Sequence, residues 1–167
     1  MDRLEFARTH QERWPGNTID EDCVIHWSAK IGKDGFGFVR QEDGSLLKIP
    51  HAAGVTIEKD VLIREYVTVD RGVKENTLIC EGTKIDHHCH IAHNVRIGRH
   101  NTLANGCIIE GSCEIGDFNT FGAGVIVQRK VKVGSHCIFG SGAVVTKDVD
   151  DYSVMVGNPA KLLRKNV

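Results

Sequence analysis

Apolar residues recur at every sixth position from Ile79 onward: Ile85, Ile91, Ile97, Leu103, Ile109, Ile115, Phe121, Val127, Val133, Phe139 and Val145, twelve positions without a polar interruption. An α-helix repeats every 3.6 residues and a strand every two, so neither alone has this period. A six-residue beat fits a solenoid in which each hexad is one short strand plus a corner, with three hexads closing a triangular coil. The apolar residue of each hexad then points inward. Three places later stand Gly82, His88, Asn94, His100, Gly106, Ser112, Phe118, Gly124, Lys130, His136, Gly142 and Asp148, nearly all polar or glycine. These are corner positions, where Gly and Asn tolerate positive φ. Four places after the beat the side chain must fit a tight stack, and Cys89, Cys107, Cys113 and Cys137 appear there, as does Cys23 relative to Ile19. The expected fold class is an all-β solenoid, a parallel β-helix.

The same beat holds at Ile19, Ile25 and Ile31, stops from about residue 33 to 54, and resumes at Ile57, Ile63 and Val69. Residues 33–54 therefore form an excursion loop that leaves the helix. A second, smaller insertion lies between Val69 and Ile79, which are ten residues apart instead of six or twelve. The beat ends near Asp150 and Asp151. Beyond it, Asn158 and Pro159 read as the N-cap and first residue of a short C-terminal helix over about 158–166. An N-terminal segment, residues 1–17, is expected to hold another short helix over 1–13. Terminal helices of this kind would cover the strand edges that a solenoid leaves open at its ends.

Composition narrows the classes. A chain of 167 residues, 41% apolar, suits one domain, residues 1–167. A net charge of -1 and 6% aromatic residues argue against a nucleic-acid surface, so small molecules or protein partners are expected. No run approaches a membrane span, and Met1 to Trp14 is charged throughout with no signal-peptide stretch, which points to the cytoplasm. The six cysteines include no Cys-x-x-Cys pair, and five share one repeat position, so packing is expected rather than zinc or disulfides.

Stacked coils place residues 18 apart above one another, which puts His93, Gly111 and Arg129 on one corner in three successive coils. A histidine, a glycine backbone and a cation along one edge could serve acyl transfer as base, oxyanion donor and anion contact. Each also has a plain reading: a solvated histidine among nine, a corner glycine and a surface charge.

The run Gly35-Phe36-Gly37-Phe38, then Lys48-Ile49-Pro50, Thr68-Val69-Asp70-Arg71-Gly72, Lys84-Ile85-Asp86 and Ile91-Ala92-His93-Asn94-Val95, resembles the β-helix of the UDP-3-O-acylglucosamine N-acyltransferases of lipid A synthesis. The resemblance covers roughly residues 31 to 116. It implies a left-handed coil and a homotrimer with active sites between subunits. It also implies that His93 is the general base deprotonating an acceptor amine and that the Gly111 N–H receives the tetrahedral oxyanion. Asp70 and Asp86 fall in the same motifs as candidates to orient His93 or bind the sugar. Asn94 and the loop residues Phe36, Phe38 and His51 are further substrate-contact candidates.

The C-terminal third departs from that family. A second histidine used there falls at Lys130, and both the N-terminal uridine-binding domain and the longer C-terminal helical region associated with acyl carrier protein are missing from the pattern. Residues 140–149 and 156–161 instead resemble hexapeptide acetyltransferases that use acetyl-CoA. With seven Lys or Arg against three Asp over residues 129–167, this end suits a phosphate-bearing donor. Gly111, Arg129, Gly142, Lys147 and Lys161 are the candidate CoA contacts. The expected function is N-acetylation of an amino sugar, nucleotide-linked, with no metal. Three alternatives remain open: acyl-carrier-protein-dependent N-acylation of the lipid A type, a γ-class carbonic-anhydrase-like zinc enzyme suggested by the His88-x4-His93 spacing, and a non-catalytic trimeric scaffold.

Overall fold

The computed structural model describes residues 16–167. Strands of mostly two residues stack into three parallel sheets, the faces of a triangular prism. The first sheet contains Thr18–Ile19, Val55–Ile57, Thr77–Ile79, Arg96–Ile97, Glu114–Ile115 and Lys132–Val133. The second contains Val24–Ile25, Leu62–Ile63, Lys84–Ile85, Thr102–Leu103, Thr120–Phe121 and Ile138–Phe139, and ends with Ser153–Val156 and Lys161–Lys165. The third contains Lys30–Lys33, Thr68–Asp70, His90–Ile91, Ile108–Ile109, Ile126–Val127 and Val144–Val145. Register is 18 residues per coil after residue 77, as in Ile91↔Ile109 and Ile109↔Val127.

In the two-residue strands of the prism an outward residue precedes a buried one, and the buried ones are the six-residue beat. Ile79, Ile91, Ile109, Val127 and Val145 are fully buried, and Phe121 stacks on Phe139 in the core with ring centroids 4.6 Å apart. The third-place residues take positive φ from Gly82 through Gly142, including Phe118 at 60°. Cys23, Cys89, Cys107, Cys113 and Cys137 are buried free thiols, and each donates to a carbonyl oxygen, as Cys113 Sγ does to Gln128 O at 3.0 Å. Burial pushes the Cys113 thiol up to about 11, so it stays protonated and unreactive at neutral pH. Asn101 and Asn119 occupy the same inner position one coil apart, and Asn119 N–H donates to Asn101 Oδ1 at 2.9 Å. Buried amides are tolerated because each finds partners on the next coil.

The excursion over 33–54 leaves the prism as expected, and its centre is a small antiparallel hairpin, Phe38–Arg40 against Leu46–Lys48. The second insertion is the irregular segment 71–76, after which the beat resumes at Thr77–Ile79. The expected C-terminal helix is not formed. Ser153–Val156 continues the second sheet, the chain reverses through Gly157 (φ 92°) and the cis Asn158–Pro159 bond, and Lys161–Lys165 returns as an antiparallel strand. Asn-Pro marks turns as well as helix starts. A short helix needs a face to bury, whereas Leu162 and Leu163 are exposed, and the open edge of Ser153–Val156 supplies backbone partners for a strand. The helix expected over 1–13 lies outside the described residues.

Candidate active site

Carrying the strand register into the corners sets Arg71, His93, Gly111, Arg129 and Lys147 in one column, along the edge where the third sheet passes the chain to the first. The step from Arg71 to His93 is 22 residues because segment 71–76 adds four. Beside this column opens a cleft of about 360 Å³ lined by Phe36, Phe38, Asp70, His90, His93, Gly111 and Arg129, among others.

Hydrogen bonds fix the tautomer of His93. Val73 N–H donates to Asn94 Oδ1 at 3.1 Å and Asn94 Nδ2 donates to Glu75 O at 3.2 Å, which orients the amide. His93 Nδ1 lies 3.1 Å from that same Oδ1, an acceptor, so Nδ1 carries the proton. Nε2 is left with its lone pair, the form a general base requires. It faces the next coil at Gly111, where a Cβ would lie only 2.8 Å from Nε2. Glycine is required there by this close approach. One coil further on, the equivalent Arg129 N–H donates to Glu110 Oε2 at 3.0 Å. Asn94 thus holds His93 and segment 71–76 with the polar atoms that the sequence reading offered to substrate.

Asp70, on the last residue of Thr68–Asp70, reaches the same place. Its carboxyl is largely buried, and His90 Nε2 lies 3.6 Å from Oδ2. Burial raises its pKa, while the neighbouring His90, His93 and His51 oppose that rise. His90 is held at its other nitrogen, Nδ1, 2.7 Å from Thr68 Oγ1. His51, at the end of the excursion, meets the His93 ring edge-on at a centroid distance of 5.3 Å. Phe36 and Phe38 contact each other edge-on at 5.0 Å, and Phe36 is 93% exposed in the single chain.

Three sequence-derived candidates lie elsewhere on the chain. Asp86 follows Lys84–Ile85 on the edge between the second and third sheets, where it pairs with His87 Nδ1 at 2.6 Å and Arg64 Nη1 at 3.4 Å. It therefore does not orient His93 of its own chain. Gly142 is a positive-φ corner on that same edge, and Lys161 begins the last strand. His88 also lies there, stacked on Tyr66 at 5.0 Å, so His88 and His93 stand on different edges. His90 and the packing role of Gly35 were missed in the sequence. A Cβ on Gly35 would lie 2.9 Å from His51 Nε2, 3.0 Å from Asp70 Oδ2 and 3.3 Å from His93 Cδ2. Allowing for the 22-residue first coil would have found His90, since it places Thr68 beside His90 and Asp70 beside Ala92.

Residues 76–111 and 112–147 match the sequence family described as bacterial transferase hexapeptide (six repeats). The repeats, the sequence relatives and the structural neighbours all fit one class, the hexapeptide-repeat left-handed β-helix acyltransferases. Among the relatives, the UDP-3-O-acylglucosamine N-acyltransferase of Coxiella burnetii (strain Dugway 5J108-111) is 47% identical over 89 residues, 53% of this chain and 26% of that protein. The enzyme of the same name from Methylobacterium nodulans is 50% identical over 82 residues, 49% of this chain and 23% of its own length. The chain thus spans about a quarter of the curated relatives it matches. LpxA from Acinetobacter baumannii superposes with a TM-score of 0.80 at 26% identity, over 90% of this chain and 57% of LpxA. The Arabidopsis UDP-N-acetylglucosamine acyltransferase gives 0.78 at 28% identity, over 92% and 52%. Among the described residues no helix is long and apolar enough to cross a membrane.

Proposed function

We propose that the chain is an N-acyltransferase that moves an acetyl group from acetyl-CoA to the amine of a nucleotide-linked amino sugar, with His93 as general base. The observation that carries the reading is the His93 imidazole, its Nδ1–H turned to Asn94 and its Nε2 lone pair turned to Gly111. In the reaction, His93 Nε2 takes a proton from the amine as the nitrogen attacks the thioester carbon. The oxyanion settles on the Gly111 N–H, the C–S bond breaks, and the thiolate recovers the proton from His93. Amide and thiol leave, and the enzyme is unchanged. No covalent enzyme intermediate is needed.

The column above His93 suits the donor. From His93 to Lys147 is three coil rises, about 14 Å at ~4.8 Å each, and Arg129 and Lys147 along it supply cations for CoA phosphates. In a homotrimer the exposed Phe36 and the open cleft would be completed by a neighbouring copy. The relatives, named as N-acyltransferases of UDP-3-O-acylglucosamine, support a second reading of the lipid A type, in which the acyl group comes from acyl carrier protein instead of CoA.

A thiol-release assay pairing acetyl-CoA, longer acyl-CoA or acyl carrier protein with nucleotide-linked 2-, 3- and 4-amino sugars tests both readings. Turnover with acetyl-CoA supports the acetyl reading, and turnover only with the carrier protein replaces it with the second. Silence with every donor and acceptor overturns acyl transfer.

A further inference from the structure

At the corners of the prism the second-place backbone N–H falls outside the strand ladder and needs a partner of its own. Along the edge between the first and second sheets side chains supply it: Glu81 N–H donates to Glu58 Oε2 at 3.0 Å, Arg99 N–H to Asp117 Oδ1 at 2.7 Å and Ser135 N–H to Asp151 Oδ1 at 2.7 Å. On the edge that carries His93, Gly111 is buried, yet its N–H has no hydrogen-bond partner among the described residues. The groups around it are bonded, with Ser112 N–H donating to His93 O at 3.0 Å and Lys130 N–H to Gly111 O at 3.1 Å. A buried N–H without a partner is rare and marks a group kept for another use.

What leaves it free is the residue one place after the beat on the coil before. At that place Glu58 accepts from the N–H of Glu81, and Glu110 from that of Arg129 at 3.0 Å, each on the following coil. Before Gly111 the same place holds Ala92, whose methyl accepts nothing. We propose that Ala92 is a positioning residue that keeps the Gly111 N–H open for the oxyanion, while Glu110 closes the equivalent N–H of Arg129, so that the thioester carbonyl is held at the level of Gly111 and not one coil further on. Ala92 and Glu110 both line the cleft beside His93, which has room for a longer chain at residue 92. This inference rests on reading Gly111 as the oxyanion donor of acyl transfer.

The test compares the full-length wild type with Ala92→Gln and Ala92→Met. The two new side chains are alike in length and neither is charged, but only Gln offers an oxygen to the Gly111 N–H. Crowding of the cleft costs both variants, so the hydrogen bond is the difference between them. The kcat of Ala92→Gln should lie about 10² below that of Ala92→Met, the usual worth of one oxyanion donor, with the same gap across the pH range because neither side chain titrates. Equal kcat values overturn the proposal. Amide-proton NMR needs no turnover. In the wild type the Gly111 amide shift should move steeply with temperature, as an unbonded amide does, and that of Arg129 shallowly. Ala92→Gln should make Gly111 shallow, and Glu110→Ala should make Arg129 steep, so the wild type and Glu110→Ala still decide if Ala92→Gln fails to fold. A shallow Gly111 in the wild type, a steep one in Ala92→Gln or an unchanged Arg129 in Glu110→Ala overturns the role of Ala92. If the wild type acylates no amine, the acyl-transfer reading fails, and the amide comparison still decides whether Ala92 leaves that N–H free.

Discussion

Two edges of the prism carry corner histidines, with different outcomes. Along the edge between the first and second sheets, His100, Phe118, His136 and Tyr152 stack ring on ring with centroids 5.4, 5.0 and 4.8 Å apart. Along the edge between the third and first sheets, His93 is followed by Gly111, and its ring meets empty space where a side chain would be. The rings of the stacked edge sit at corners with positive φ, where each packs on the ring of the next coil and the two middle rings, Phe118 and His136, are covered on both faces. His93 is a second-place residue, one position earlier, with Asn94 on one nitrogen and a glycine before the other. A histidine on this scaffold becomes a base through what is missing on the next coil as much as through its own identity.

The largest expected effect separates the two edges. His93→Ala should lower turnover by about 10² to 10⁴, the usual worth of a general base, while His136→Ala stays within about twofold of wild type in the same thiol-release assay. Equal losses would erase the distinction. Gly111→Ala sharpens it, because the methyl would press on Nε2 from 2.8 Å and displace the oxyanion donor. A fall of about 10² in kcat is expected, with little change in thermal midpoint. On the stacked edge the signs reverse. Phe118→Ala removes two ring contacts and should cost about 1–2 kcal/mol in denaturant unfolding with turnover unchanged.

The smallest effect concerns Asp70. A carboxyl whose folded pKa is raised binds its proton more tightly in the folded state, so it lowers stability as pH rises through the unfolded and then the folded value. Above that window the penalty is complete, and at neutral pH Asp70→Asn should raise the unfolding midpoint slightly while slowing turnover. A lower midpoint would mean that Asp70 is held by its histidine partners more strongly than burial opposes it.

Much of this was legible in the chain. The six-residue beat gives the three sheets, the corner residues and the buried cysteines, because one inward position per hexad is the only way such short strands can share a core. The 18-residue step aligns His93, Gly111 and Arg129, and adds Lys147 one coil on. It fails across segment 71–76, where four extra residues change the step to 22 and hide the approach of Asp70 and His90 to His93. Asp86 looked equivalent to Asp70 because both sit in motifs, but motifs do not say which edge a residue occupies. His51 could be placed only once the excursion had folded back on the prism, since no repeat governs a hairpin. The C-terminal strand was missed because Asn-Pro reads alike as a helix start and a turn, and the choice fell to the unpaired edge beside it.

The most direct test of the central claim is a ¹⁵N NMR spectrum of the His93 imidazole in the wild type at a pH where the ring is neutral. A protonated, pyrrole-type Nδ1 and a pyridine-type Nε2 are expected, leaving the lone pair on the side of Gly111. A pyrrole-type Nε2 would put a proton where the amine's proton must go, and would contradict His93 as the base.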